Sequence, residues 1–449
     1  MTTHAEHDRR VRRLAADYAA LPPDQPVRLA KRTSNLFRGR ENLRPSLDAS
    51  GLDALLAVDP VARSADVQAM TTYEDLVDAT LPHGLMPLVV PQLKTITLGG
   101  AVTGLGIESS SFRNGCPHES VTEIELLTGA GEVVTATRDN EHRALFYGFP
   151  NSYGSLGYAT RLRIELQPVL PFVHLRHVRY SDFASYFDAV ARECAGGEHD
   201  FIDGTVFSPD RMFLTLGSFE EQAPYTSDYT GMDIYYRSLE HRRADHLSIR
   251  DYLWRWDTDW FWCSRAFGVQ RPAVRRLWPK RWLRSDAYWK IVAFERRHGP
   301  VRRLEALRGR PAREDVVQDV EIPVQRAAEF LRFFTDEVGI SPVWVCPLRQ
   351  RDPAAVWDLY ALDPDTLYVN IGFWSTVPLP AGCADGRYNR MIEREVALLD
   401  GRKSLYSTAY YDEEEFWATY NGTAYDRLKK EYDPDGRLLD LYAKTVQRR

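Results

Sequence analysis

The stretch that most constrains this chain is Thr95–Val121, reading TITLGGAVTGLGIESSSFRNGCPHESV. Its glycines are Gly99, Gly100, Gly104, Gly106 and Gly115, and its hydroxyls include Thr95, Thr97, Thr103, Ser109, Ser110 and Ser111. Glycine admits positive φ and lets the backbone approach a ligand, because no Cβ stands in the way. Successive N–H groups in such a loop form a concave anion site, and short hydroxyls add donors without bulk. After the β-branched run Thr95-Ile96-Thr97 the stretch reads as a diphosphate cradle, and a solvent-exposed connection would share its composition. A dinucleotide-binding helix start does not fit. The glycines fall as GGxxxGxG, and Glu108–Gly115 carries no apolar helical period.

At 449 residues the chain is long enough for two domains, each with its own core. Its net charge of −6 and the absence of a known module argue against nucleic acid as a partner. Five scattered cysteines, odd in number and without CxxC spacing, argue against a disulfide framework or zinc site and for a reducing compartment. The charged N-terminus does not read as a signal peptide, and no run of ~18 apolar residues reads as a spanning helix.

Residues 5–20 read as an amphipathic helix closed by Pro22-Pro23. Val27–Arg40, VRLAKRTSNLFRGR, offers a short strand and a polar turn whose Arg32, Thr33, Ser34 and Asn35 supply donors. Strands are expected at Leu55–Val58, Ser64–Met70 and Met86–Val90, with a Thr-capped helix at Tyr73–Thr80. A hairpin is expected from Val121–Leu127 to Glu132–Thr137. Gly154, Ser155 and Gly157 precede an alternating strand from Tyr158 to Ile164, as either a hairpin turn or a ligand loop would. Pro168 and Pro171 mark a domain boundary near residue 170. Val316–Val324, Ser341–Arg349 and Leu367–Trp374 read as strands and Val324–Val338 as a helix, which together make an α+β unit. Glu413–Thr419 and Tyr425–Tyr432 read as helices, the second stopped by Asp433-Pro434.

With these landmarks in place, the chain resembles the FAD-binding vanillyl-alcohol oxidase and p-cresol methylhydroxylase superfamily. More closely it resembles the branch of Δ24-sterol reductases and bacterial methylene fatty acyl reductases. The resemblance rests on Thr95–Val121, Val27–Arg40, Phe146–Ile164, the strands VVQDVEIPV, SPVWVCPLR and LYVNIGFW, and the terminal YDRLKKEYDP. It implies an α+β fold: a two-subdomain PCMH-type FAD-binding domain at 1–170, an α+β cap domain with an antiparallel sheet at 171–404, and a segment 405–449 returning onto the FAD domain. It implies FAD contacts from three loops. The first supplies Arg32, Thr33, Ser34 and Asn35. The second supplies Thr97, Gly99, Gly100, Thr103, Gly104, Gly106, Ile107, Glu108, Ser109, Ser110, Gly115 and His118. The third supplies Gly154, Ser155, Gly157 and Tyr158. No histidine in Val27–Arg40 resembles a covalent flavin anchor, so FAD is expected to be non-covalent.

The resemblance further implies reduction of a C=C bond in an apolar lipid, foremost a methylene-branched phospholipid acyl chain, with NADPH as electron donor. It also implies a methyltransferase pathway as partner. The alternatives are a Δ24-sterol-type reduction, oxidation of an alcohol or sugar, or a catalytically inactive lipid-binding or scaffolding protein that retains the fold. Alkene reduction needs a proton donor, and Tyr406, Tyr410, Tyr411 and His246 are the candidates. Trp254, Trp256, Trp260, Trp262, Trp278, Trp282 and Trp289 cluster as either a substrate cavity or a packed core would require. Arg271–Arg284, RPAVRRLWPKRWLR, sets cations around Trp278 and Trp282, as an anionic membrane surface or a solvated basic face would. The expected location is cytoplasmic, peripheral to the inner face of the membrane.

Overall fold

Period-two alternation of apolar and polar residues builds two antiparallel sheets in the computed structural model, which describes residues 2–38, 46–298 and 311–448. Gly39 and Arg40, the end of the expected first loop, lie outside the described residues. The first sheet runs in the order Leu55–Asp59, Ser64–Gln68, Gly157–Pro168, Val121–Thr128 and Val133–Thr137, and Leu85–Pro87 also pairs with Gly157–Pro168. Val67, Ile124, Leu126, Leu162 and Ile164 enter a core shared with Leu76 and Val77 of the Thr72-capped helix Tyr73–Thr80. Helix His4–Ala19, capped by Thr3, lays Val11, Leu14 and Tyr18 into a separate cluster with Leu127 and Leu438.

Between Pro168 and Phe172 the chain passes into an eight-stranded sheet. Its order is Ala244–Ser248, Phe172–Tyr180, Arg211–Glu220, Phe201–Ser208, Val343–Leu348, Tyr368–Pro378, Arg313–Pro323 and Arg402–Lys403. Val320, Ile322, Val343, Val345, Val369, Ile371 and Phe373 pack with helices Phe183–Gly196, Val324–Glu337 and Arg387–Leu398. The alternate residues, among them Asp319, Trp344 and Trp374, look the other way, toward the loops of the first sheet. The fold is α+β, as expected. Helix Gly422–Tyr432 returns onto the first sheet's side, where Leu428 fills the space a side chain at Gly148 would need. Among the described residues no helix is long and apolar enough to cross a membrane.

The stretch Thr95–Val121 is more ordered than its sequence suggests. It holds helices Leu98–Gly104 and Ser111–Asn114 and a 3₁₀ turn at Pro117–Ser120. Thr97 caps the first of these by accepting the Gly100 N–H at 3.2 Å. That helix escapes a hydropathy pattern because its contacts are made by small residues. A Cβ on Gly99 would stand 2.9 Å from both Cβ and O of Ala69, so the helix meets the turn after strand Ser64–Gln68 at close range.

Candidate active site

Loops of the first sheet and the open face of the second enclose a cavity of about 450 Å³. Residues 27–38, 97–107 and 153–158 form one end, and side contacts tie these loops together. Thr33 Oγ1 donates to the Thr95 carbonyl at 2.9 Å, and Tyr153 OH to the Gly104 carbonyl at 2.7 Å. The Arg38 guanidinium donates to the Leu405 carbonyl while lying 4.6 Å from the Tyr153 ring centroid. The Phe37 N–H reaches the Tyr406 carbonyl at 3.0 Å, so the first loop is fastened to the C-terminal segment as well.

Of the expected cofactor residues, Thr33, Ser34, Asn35, Thr97, Gly99, Gly100, Thr103, Gly104, Gly106, Ile107, Gly154, Gly157 and Tyr158 line this cavity. The glycines work from behind the wall. A Cβ on Gly104 would meet the Tyr153 ring at 3.1 Å, and one on Gly106 would meet Pro117 and Pro91 at 3.0 and 3.1 Å. Close packing thus brings bare backbone to the cavity surface.

Seven other expected contacts fall elsewhere, five of them because residues 108–118 turn into the joint with the second sheet. Glu108 and Ser109 are buried beside Arg255 and Tyr252. Ser110 donates to the Leu88 carbonyl at 2.9 Å, and Gly115 (φ 69°) sits against the Glu119 carboxylate. His118 packs on Trp357 with ring centroids 4.4 Å apart. Ser155 donates to the Ser152 carbonyl, and exposed Arg32 pairs with Asp53 at the surface. The sequence reading also missed Arg28, Lys31 and Lys444, which join the same wall. Lys444 donates to the Gly154 carbonyl at 2.6 Å. Its helix, Leu441–Thr445, reaches the wall only through the tertiary fold.

The opposite end is aromatic. Strand register aligns Trp344, Gly372 and Asp319 in one row across three strands. The missing side chain of Gly372 leaves room for the Asp319 carboxyl and the Trp374 ring. Phe261 packs tilted on Trp374 at 4.3 Å and approaches Trp344 at 5.6 Å, while Phe37 stacks on Trp260 at 5.5 Å. Backbone strain collects here. Of nine non-glycine residues with positive φ among those described, Leu105, Tyr153, Trp260 and Phe261 line this cavity.

Asp319 was not anticipated from the sequence. Its carboxyl opens onto the cavity but is withdrawn from bulk solvent, and burial pushes its pKa up to about 6 against hydrogen bonds from Asn370 and Tyr406. Asn370 Nδ2 donates at 3.2 Å. The Trp374 indole N–H donates to Tyr406 OH at 2.9 Å, and that hydroxyl is bonded in turn to Asp319. Burial, then the Asp319 charge, holds the Tyr406 phenol well above its usual range. Two residues along the strand, Glu321 is pushed up to about 8, mainly by burial, and is bonded to Tyr360 and Ser404. The available signal was two carboxylates at alternate positions in the largely apolar strand VVQDVEIPV.

Of the four expected proton donors only Tyr406 lines the cavity. Tyr410 donates to Asp385 at the surface at 3.0 Å, and Tyr411 is packed against Phe416 and Tyr420. His246 lies on an edge strand, bonded to Glu220 at 3.0 Å and stacked on His174. Short polar side chains and tyrosines near a chain turn do not reveal from sequence which way they face. The tryptophan cluster is likewise mostly core. Trp254, Trp256 and Trp262 are buried, and of the seven only Trp260 lines the cavity.

The donor set fits FAD. Backbone, the hydroxyls of Thr33, Ser34 and Thr97, and the cations Arg28, Lys31 and Lys444 suit a diphosphate, and the aromatic end suits a flat ring and an apolar reactant. Residues 6–137 match the family described as "FAD binding domain". The chain is 26% identical to Δ(24)-sterol reductase of Mus musculus over 421 residues, covering 90% of this chain and 77% of the relative. With the Arabidopsis thaliana Δ(24)-sterol reductase the identity is 24% over 441 residues, covering 88% and 75%. A shorter match, 32% over 159 residues, links it to cytokinin dehydrogenase 7 of Oryza sativa, covering 34% of this chain and 29% of that one. The chain is an FAD-dependent oxidoreductase, homologous along most of its length to the Δ(24)-sterol reductases.

Proposed function

We propose that this protein reduces a C=C bond in an apolar lipid, with a methylene-branched acyl chain of a phospholipid as substrate and NADPH as the source of electrons. The observation that carries the reading is one cavity joining a diphosphate-binding wall to an aromatic chamber that holds the carboxyl of Asp319. The homologues named Δ(24)-sterol reductase support alkene reduction as the reaction class.

When bound, FAD supplies hydride chemistry; the protein supplies binding, orientation and exclusion of water. The backbone of 97–107 and the cations Arg28, Lys31 and Lys444 hold the nucleotide. Trp260, Phe261, Trp344 and Trp374 enclose the alkene, keep water out, and stabilise cationic character on carbon through their π faces. One alkene carbon must receive a proton, and below about pH 6 Asp319 carries one on its carboxyl oxygen within the chamber. Tyr406 and Asn370 fix that carboxyl and, by hydrogen bonding, support the carboxylate left after transfer. An acid needs a pKa near the working pH, and burial moves Asp319 toward it. An alcohol or sugar oxidase would call for a polar lining, and this chamber is aromatic.

A methylene group on an acyl chain is delivered by one-carbon transfer, which makes a methyltransferase the upstream partner. NADPH and phospholipid together place the protein in the cytoplasm, at the inner face of the membrane. The test is anaerobic. NADPH should bleach the yellow protein, and methylene-acyl phospholipid should restore the colour with formation of the methyl-branched chain. Recovery with a Δ24-sterol and not with the phospholipid would shift the substrate to the sterol class. Bleaching by an alcohol or sugar, followed by recovery with oxygen alone, would overturn the reading.

A further inference from the structure

The expected basic segment is only partly free. Arg275 is buried, bonded to both Asp259 oxygens at 2.7 and 3.0 Å, and Arg284 pairs with Glu74 and Asp286, each at 2.8 Å. Arg271, Arg276, Lys280 and Arg281 are exposed, and Lys290 is exposed on the next helix, Ser285–His298. Among these cations stand Leu277, Trp282, Ile291 and Phe294. They are four of the eleven large apolar side chains exposed among the described residues; Leu277 is 85% accessible and Trp282 50%. Such side chains scattered singly need no explanation, but a cluster within one short segment marks an interaction surface.

We infer that this face, built from Arg271–Trp282 and the exposed Lys290, Ile291 and Phe294 of helix Ser285–His298, docks on an anionic lipid bilayer. The charge supports that occupant, because a chain with net charge −6 concentrates exposed cations here and places aliphatic and aromatic side chains among them. Cations beside Trp, Phe and Leu are the composition of an interfacial membrane contact, in which the apolar groups enter the headgroup boundary and the charges meet the lipid phosphates. The face also joins the cavity. The Trp282 ring lies 6.4 Å from Trp278, which lies 6.3 Å from Tyr288 on the helix. The neighbouring Trp289 packs on Phe37 at 5.1 Å and on Trp260 at 6.1 Å, and both of those line the cavity wall. Docking stands on this surface alone and does not depend on which alkene is reduced.

The test is flotation of the FAD-loaded protein with vesicles of phosphatidylcholine, or of phosphatidylcholine mixed with phosphatidylglycerol. The protein should float with the mixed vesicles, and added salt should weaken the association. Each cation removed should cost about five-fold in partitioning, so R276Q/K280Q/R281Q should lose about a hundredfold. L277A/W282A should weaken what remains in high salt. FAD content and melting temperature confirm that each variant folds. The inference is overturned if the wild type ignores phosphatidylglycerol vesicles, if it binds both vesicles equally, or if the folded charge variant binds undiminished.

Discussion

Replacing Asp319 by Asn tests the chamber's chemistry and its energetics at once. Burial moves this carboxyl from 3.8 to about 6, which is about 3 kcal/mol against the ionised form. Between about pH 4 and 6 the folded protein keeps a proton that the unfolded chain has released. Stability therefore falls as pH rises through that window, by up to ~1.4 kcal/mol per unit, and levels off above it. Asp319→Asn keeps the shape and removes the charge, so above pH 6 it should be more stable than wild type by up to about 3 kcal/mol, and near pH 4 about equal. Urea unfolding at pH 4, 5, 6 and 7 reads this directly. The same variant should reduce alkene about a hundredfold or more slowly. It should also lose the wild-type decline in rate above pH 6, followed by mass spectrometry of the lipid product. A variant with the wild-type rate and pH profile would refute Asp319 as proton donor. A stability difference that does not change from pH 4 to pH 7 would refute the burial reasoning.

Gly99→Ala pushes a Cβ against the Ala69 backbone, which cannot yield as a flexible side chain would. It should cost about 1–3 kcal/mol and lower the FAD retained through gel filtration. Arg255→Met strands Glu108 and Asp203, which the guanidinium meets at 3.1 and 2.8 Å in the interior. A loss of about 3–5 kcal/mol in urea unfolding is expected, with much of it recovered by adding Glu108→Gln and Asp203→Asn. Burial lowers the His118 pKa to about 3, so the unfolded chain gains a proton first and stability falls as pH drops from about 6.5 toward 3. His118→Phe, which keeps a ring against Trp357, should flatten that acid limb in thermal melts recorded from pH 7 to 4.

The sequence by itself determined many of the elements and the glycine-rich part of the wall of the candidate site. Alternation in Val121–Thr137 and Val316–Trp374, the Thr72 cap and the glycine-rich stretch after Thr95 are local signals. They predicted strands, a helix and a backbone-lined loop without knowledge of their neighbours. Facing is not local. Ser109 and Ser110 have the same short hydroxyl as Thr97, yet the turn at Ser109-Ser110 sends them into the joint with the second sheet and leaves Thr97 on the cavity. Asp319 became a chamber acid because register sets it beside Gly372 and Asn370, and because Tyr406, distant in sequence, bonds its carboxyl. Lys444 reached the nucleotide wall by the return of the C-terminus, and Trp254, Trp256 and Trp262 became core while Trp344 and Trp374 walled the chamber. A side chain's chemistry is written in its residue type. Its solvation and its partners, and therefore its pKa and its use, are set by whatever the fold packs against it.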